Sequence, residues 1–222
     1  MPTKRSYQQN CPIALGMDVL GERWTLLILR ELIGGARRYG DLRDQLRGIA
    51  TNLLADRLRE LEDAGLVDRE ELPPPIARTV YTLSDEGWRK VPPVIQAIAT
   101  FGLDLVEPDE SALTPLNGFL VGILLAVDPA TRLNASYRID IDHRIFEFAV
   151  RSGRLAAAKG QPSVTVTAAA TDLITARLGS TAAKRKAALR KVTFDGDPDQ
   201  VDAMRTAFRL TGDPGLLAVS MP

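Results

Sequence analysis

The chain has 222 residues, 45% of them hydrophobic and 25% charged, and its 28 Lys and Arg balance 28 Asp and Glu. That length suits one large domain or two small ones, and that composition suits a globular protein. One cysteine excludes an internal disulfide framework and a cysteine-rich zinc site; one histidine, His143, excludes a multi-histidine metal centre and weakens acid–base mechanisms that need an imidazole.

The first ten residues are polar, without the apolar stretch of a signal peptide. Residues 118–127, the longest apolar run, are about half the length a bilayer span needs. A cytoplasmic protein with no membrane partner is therefore expected. In chain order, Ile13, Leu15, Met17 and Leu20 at helical spacing predict a helix over 12–20. A strongly apolar helix over 24–33 follows, stopped by Gly34 and Gly35. A third covers 39–46, with Leu42 and Leu46 at i, i+4, and ends at Gly48. The fourth, 51–64, sets Leu54, Leu58 and Leu61 on one face before Gly65.

Beyond Gly65 the period becomes that of two short strands, 66–72 and 78–83, joined through a tip of three prolines, Pro73 to Pro75. Ser84 is placed to cap a helix with Asp85 and Glu86 in its first turn. Residues 91–106 predict a separate apolar helix opened by Pro92 and Pro93. Residues 107–116, acidic and proline-bearing, read as a linker between domains over 1–106 and 117–222. Residues 118–127 then predict a helix. Alternating Ala135, Tyr137, Ile139 and Ile141 mark a strand, with Asp142 and His143 turning into 144–150. Strands over 154–158 and 163–168, helices over 171–178 and 181–190, a strand over 192–194 and a helix over 198–210 complete the chain. The fold class is α+β: a winged helix-turn-helix followed by an antiparallel sheet with helices.

Two short helices joined at a glycine and followed by a hairpin place the second helix in a DNA major groove, its first residues at base edges. Those residues are Thr51 and Asn52, with Arg57 further along; Asn pairs with adenine, Arg with guanine or phosphate. Arg37, Arg38, Arg43 and Arg47 flank the preceding helix, where phosphate contacts set register, and Arg78 stands beside the wing tip. The bland reading makes these arginines a solvated face paired with Asp41, Asp44 and Glu60. Net charge does not decide, since 14 Lys and Arg face 15 Asp and Glu up to Val106, and 14 face 13 beyond it. A local patch is what matters.

Cys11-Pro-Ile, Gly21-Glu-Arg-Trp-Thr-Leu-Leu-Ile-Leu-Arg-Glu-Leu32, Arg38-Tyr-Gly-Asp-Leu42, residues 54–66 and Tyr81-Thr-Leu-Ser-Asp-Glu-Gly87 together resemble the HxlR family of bacterial regulators. The resemblance covers about residues 11–102. It implies a homodimer joined through the first and last helices of the domain and bound to inverted-repeat operators in double-stranded DNA. It also puts Cys11 on the family's N-terminal cysteine, which in some members senses electrophiles or oxidants. The other reading of Cys11 is a small residue at the dimer interface.

The second half carries no P-loop, dinucleotide fingerprint or nucleophile elbow, so no enzyme activity and no cofactor are expected. Asp195 and Asp197 around Gly196 read as turn residues, and His143 as a solvated one. Residues 165–173, Leu178-Gly179 and 192–198 resemble the sterol carrier protein type 2 family, over roughly residues 116–210. The resemblance implies a five-stranded sheet and helices enclosing an apolar tunnel. Candidate lining residues for a small apolar ligand are Phe119, Ile123, Tyr137, Phe146, Phe148, Ile174, Phe194 and Phe208; packed together, the same residues are an ordinary core. Two further readings stay open: a thiol-sensing regulator with an inert second domain, and a lipid carrier that does not regulate transcription.

Overall fold

The computed structural model describes residues 6–73, 78–103, 133–142, 144–208 and 210–212. It divides into two compact units, Met1–Val91 and Pro92–Pro222. In the first, helix α1 (Pro12–Leu20) is followed by α2 (Thr25–Ile33), whose Thr25, Ile28, Leu29, Leu32 and Ile33 recur at i, i+3, i+4, i+7 and i+8 and are all buried. α3 (Tyr39–Gln45) and α4 (Thr51–Asp63) add Leu42, Leu54, Leu58 and Leu61 to that core. Between them Gly48 takes φ +93°, a left-handed turn that costs an L side chain about 1 kcal/mol or more.

Strands β1 (Val67–Leu72) and β2 (Arg78–Leu83) pair antiparallel, from Val67 opposite Leu83 to Leu72 opposite Arg78. Arg37 adds a short third rung: its N–H donates to Tyr81 O at 2.9 Å, and the Tyr81 N–H donates to Arg37 O at 2.7 Å. The wing is thereby stitched to the segment that leads into α3.

Helix α5 (Asp85–Leu103) runs through Pro92 and Pro93 without a break. Two helices were expected there, and the structure corrects this to one. The prolines cannot donate to the carbonyls four residues earlier. The helix keeps its course because buried Trp88, Val91 and Ile95 anchor it on both sides of the pair. The Ser84 hydroxyl accepts from Gly87 N–H at 2.9 Å and donates to Gly65 O at 2.6 Å, fixing the start of α5.

The second unit holds β3 (Asn134–Ile141), β4 (Arg144–Arg151), β5 (Arg154–Ala156), β6 (Val164–Ala168), α6 (Ala170–Leu178), α7 (Ala182–Leu189), β7 (Thr193–Gly196) and α8 (Pro198–Ala207). Its five strands lie in the order β5-β4-β3-β6-β7. Ser152 and Gly153, both at positive φ, form the tight turn that folds β5 back on β4. The sheet is mixed rather than antiparallel, because β6 returns on the far side of β3 and pairs parallel to it, Tyr137 opposite Val164. Strand alternation buries Tyr137, Ile139, Ile141, Phe146, Phe148, Val164 and Val166 on one face. The opposite face is largely polar, and Arg138 and Glu147 pair across it at 2.5 Å. The expected linker at 107–116, the helix over 118–127 and His143 lie outside the described residues.

Candidate nucleic-acid interface

The start of α4 is set by its backbone anchors. The Tyr39 hydroxyl, in the first turn of α3, donates to the Thr51 carbonyl and ties together the starts of α3 and α4. The Asp41 carboxylate accepts from Arg38 N–H at 3.2 Å and closes the first turn of α3. Thr51 and Asn52 are exposed at the N-terminus of α4, with their side chains in solvent.

Arg38, Arg43, Arg47 and Arg78 are also exposed. Arg43 stands 3.8 Å from Asp44, a loose surface pair that costs little to release. Arg37 is half-buried and donates to Gly34 O at 3.1 Å. Arg57 is engaged within the unit: its side chain is 15% exposed, pairs with Glu60 at 2.7 Å and stands 3.8 Å from Glu22. The face of α4 that carries Asn52 continues through Asp56, Arg59 and Asp63, at i+4, i+7 and i+11. Arg59, 68% exposed and paired with Asp56 at 3.1 Å, shares that face and was not among the arginines singled out from the sequence; its seven-residue spacing from Asn52 was the available signal. Of the wing tip, Pro73 is described and residues 74–77 lie outside the described residues.

Cys11 is the N-cap residue of α1 and half-exposed. The Ala14 and Ile13 N–H groups at the helix start pull its thiol below the ordinary value of 9.0, against a small opposing push from burial.

In the second unit, four of the eight expected lining residues pack into its core. Tyr137 and Phe148 are 5.4 Å apart between ring centroids, and Phe208 sits edge-on to both at 5.6 and 6.1 Å. Phe146 is buried beside them in the sheet, opposite Ile139. Phe194 is half-buried under the Arg205 guanidinium, 5.6 Å from its ring centre. Phe119, Ile123 and the Ile174 side chain lie outside the described residues. Among the described residues the buried Tyr137 hydroxyl has no hydrogen-bond partner, and burial pushes the phenol up to about 12. Among the described residues no group of three or more His, Cys, Asp and Glu is placed to hold a metal ion, and no helix is long and apolar enough to cross a membrane.

A family description, HxlR-like helix-turn-helix, matches residues 19–110. The helix-turn-helix-type transcriptional regulator sll1512 of Synechocystis is 39% identical over 108 residues, which span 49% of this chain and 79% of that protein. The chain belongs to the HxlR-like helix-turn-helix family. Another relative is YodB, a helix-turn-helix-type transcriptional regulator of Bacillus subtilis, 30% identical over 102 residues, 46% of this chain and 90% of YodB. Among solved structures, the reduced form of YodB aligns at 30% identity with a TM-score of 0.39, covering 46% of this chain and all of that one. The redox regulator HypR in its reduced form aligns at 28% identity with a TM-score of 0.40, covering 42% of this chain and 92% of that one. The N-terminal part of this HxlR-like protein is thus a winged helix-turn-helix of transcriptional-regulator type; each of these likenesses covers under half of the chain.

Proposed function

We propose that the protein is a sequence-specific, DNA-binding transcriptional regulator that acts as a homodimer on an inverted-repeat operator and answers to a small apolar ligand in its second unit. The observation that carries the DNA reading is the pair Thr51 and Asn52, exposed at the start of an α4 pinned through Tyr39, with Arg38, Arg43 and Arg47 on the preceding helix segment and Arg78 at the start of β2 exposed as well. Asn52 is the base reader, and the arginines are phosphate contacts that hold register. Arg37 and Arg57, turned toward the protein, support the head; Arg59 joins Asn52 on the outward face. Dimerisation draws support from apolar side chains left in solvent, Ile13, Leu15 and Met17 on α1 and Ile98 and Phe101 on α5. A sterol-carrier-like role for the second unit draws support from its five-stranded sheet and from the unpartnered Tyr137 hydroxyl amid apolar rings, which suits an apolar ligand with one hydrogen-bond acceptor.

Selection of bound sites from random DNA by the full-length protein tests the reading. A two-fold-symmetric site is expected, and Asn52→Ala should cost about 1–3 kcal/mol of discrimination at one base of each half-site. Loss of discrimination at no position, or no salt-dependent binding, overturns it. The same selection with candidate apolar compounds, and native mass spectrometry of gently purified protein, reads the ligand arm; ligand-free protein indifferent to every compound removes it.

The lowered Cys11 thiol favours a second reading, a regulator that responds to oxidants or electrophiles. Its test is Cys11→Ser: DNA binding that no longer answers to oxidant supports it, and an unchanged response rejects it.

A further inference from the structure

The second unit carries a marked charge asymmetry. Between Asp172 and Asp195 the sequence carries Arg177, Lys184, Arg185, Lys186, Arg190 and Lys191 and no acidic residue. In a chain with no net charge, such a run is a local field rather than a global one.

The fold gathers most of this charge on one helix face. Helix α7 buries Arg185, Ala188 and Leu189, at i, i+3 and i+4. Its outward stripe is Ala183, Lys186, Ala187 and Arg190, at i, i+3, i+4 and i+7, bordered by Lys184 and Lys191. All six are exposed. The two alanines keep the stripe low between the cations, so a flat polyanion can come close. Among the described residues, Lys191 is the one of these four cations with a carboxylate partner, Asp172 at 3.0 Å.

Behind the stripe, the buried Arg185 guanidinium is held by carbonyls, Gly179 O at 2.6 Å and Gly212 O at 3.4 Å. It therefore adds a positive charge beneath the face while locking the helix in place. The Thr181 hydroxyl, accepting from Lys184 N–H at 3.2 Å, caps the helix and makes its frame rigid. The acids of the neighbouring segment, Asp195, Asp197, Asp199 and Asp202, begin only after Phe194, and one of them, Asp197, is occupied in capping α8.

We infer that the outward face of α7 and the turn that follows it, carrying Lys184, Lys186, Arg190 and Lys191, is a second contact surface for the phosphate backbone of duplex DNA, independent of sequence. Charge complementarity selects the partner: a regularly spaced anion meets cations repeated along a helix, and small residues between them let the backbone approach. The inference rests on the DNA-binding reading of the first unit. It makes the second unit a source of affinity and salt dependence, while base discrimination stays with Asn52.

The test uses the full-length protein and a duplex longer than one helix-turn-helix footprint, with affinity measured against salt. Lys184→Gln, Lys186→Gln and Arg190→Gln are combined, since Gln keeps helix propensity. The slope of log affinity against log salt is expected to shrink by roughly 2–3, at about 0.9 per phosphate contact, with the preference for the selected site over a scrambled one unchanged. A variant with Lys184→Arg and Lys186→Arg in place of the two Gln substitutions, Arg190→Gln kept, should recover part of the slope. An unchanged slope in the combined variant, while Asn52→Ala still alters site preference, overturns this inference and leaves the function above standing. Wild-type protein that binds no duplex at any salt overturns both. Binding to phosphatidylglycerol vesicles that the combined variant loses, with the DNA slope unmoved, overturns DNA as the partner in favour of a membrane surface.

Discussion

Arg57 and Arg59 stand two residues apart on α4 in different surroundings, 15% and 68% exposed. Arg57 is screened by Glu60 and Glu22 and braces the helix, whereas Arg59 faces outward with Asn52. Residue type does not separate them; the angle around the helix does. Tyr137 makes the same point in the second unit, where an aromatic on a strand carries a hydroxyl without a partner. Its phenol ionises at about 12 in the folded chain, against an ordinary value of 10.0. The folded state therefore holds this proton when the unfolded state has lost it. The stabilising effect is complete below pH 10 and fades as pH rises from 10 toward 12. Tyr137→Phe should flatten that part of the stability–pH curve. Chemical denaturation of both proteins across the alkaline range checks it, and identical curves would remove the assignment.

At the scale of elements, the junction between the wing and α5 is the tightest passage in the first unit. Ser84 bridges Gly65 and Gly87, and a Cβ on Gly87 would collide with the Leu66 carbonyl. Gly87→Ala should therefore destabilise the protein by about 1–3 kcal/mol, since backbone rather than a flexible side chain must yield. A thermal melt detects this directly. A variant as stable as the wild type would show that the wing and α5 shift apart easily. The proline pair inside α5 shows how packing overrides local preference. Sequence rules stop a helix before a proline, but Trp88, Val91 and Ile95 are buried along one side and carry it through.

For the whole molecule, the apolar residues left in solvent carry the assembly argument. Ile13 and Phe101 are each 77% exposed. Exposed groups of that size on helices raise the free energy of a monomer in water, and burying them against a second copy recovers part of it. On the homodimer proposed above, Ile13→Glu and Phe101→Glu are each expected to shift the protein from dimer to monomer in sedimentation velocity, with helical content retained. DNA affinity should fall in step, because a monomer engages one half-site instead of two. A variant that stays dimeric with both substitutions would place the interface elsewhere.

Much of this was legible in the residues alone. The element order, the glycine-broken pair of helices, the wing and the five strands of the second unit follow from hydrophobic period and from turn residues, which act over a few positions. So does the location of Thr51 and Asn52 at a helix start. Three things needed the tertiary structure. Burial decides that α5 is one helix, because its packing partners come from distant positions. Strand pairing decides that β6 lies parallel to β3, since a crossing leaves no mark on the strand itself. Side-chain environment decides which arginines are spent inside the fold and which reach outward, because neutral totals and local spacing do not record the partner at the other end of a guanidinium.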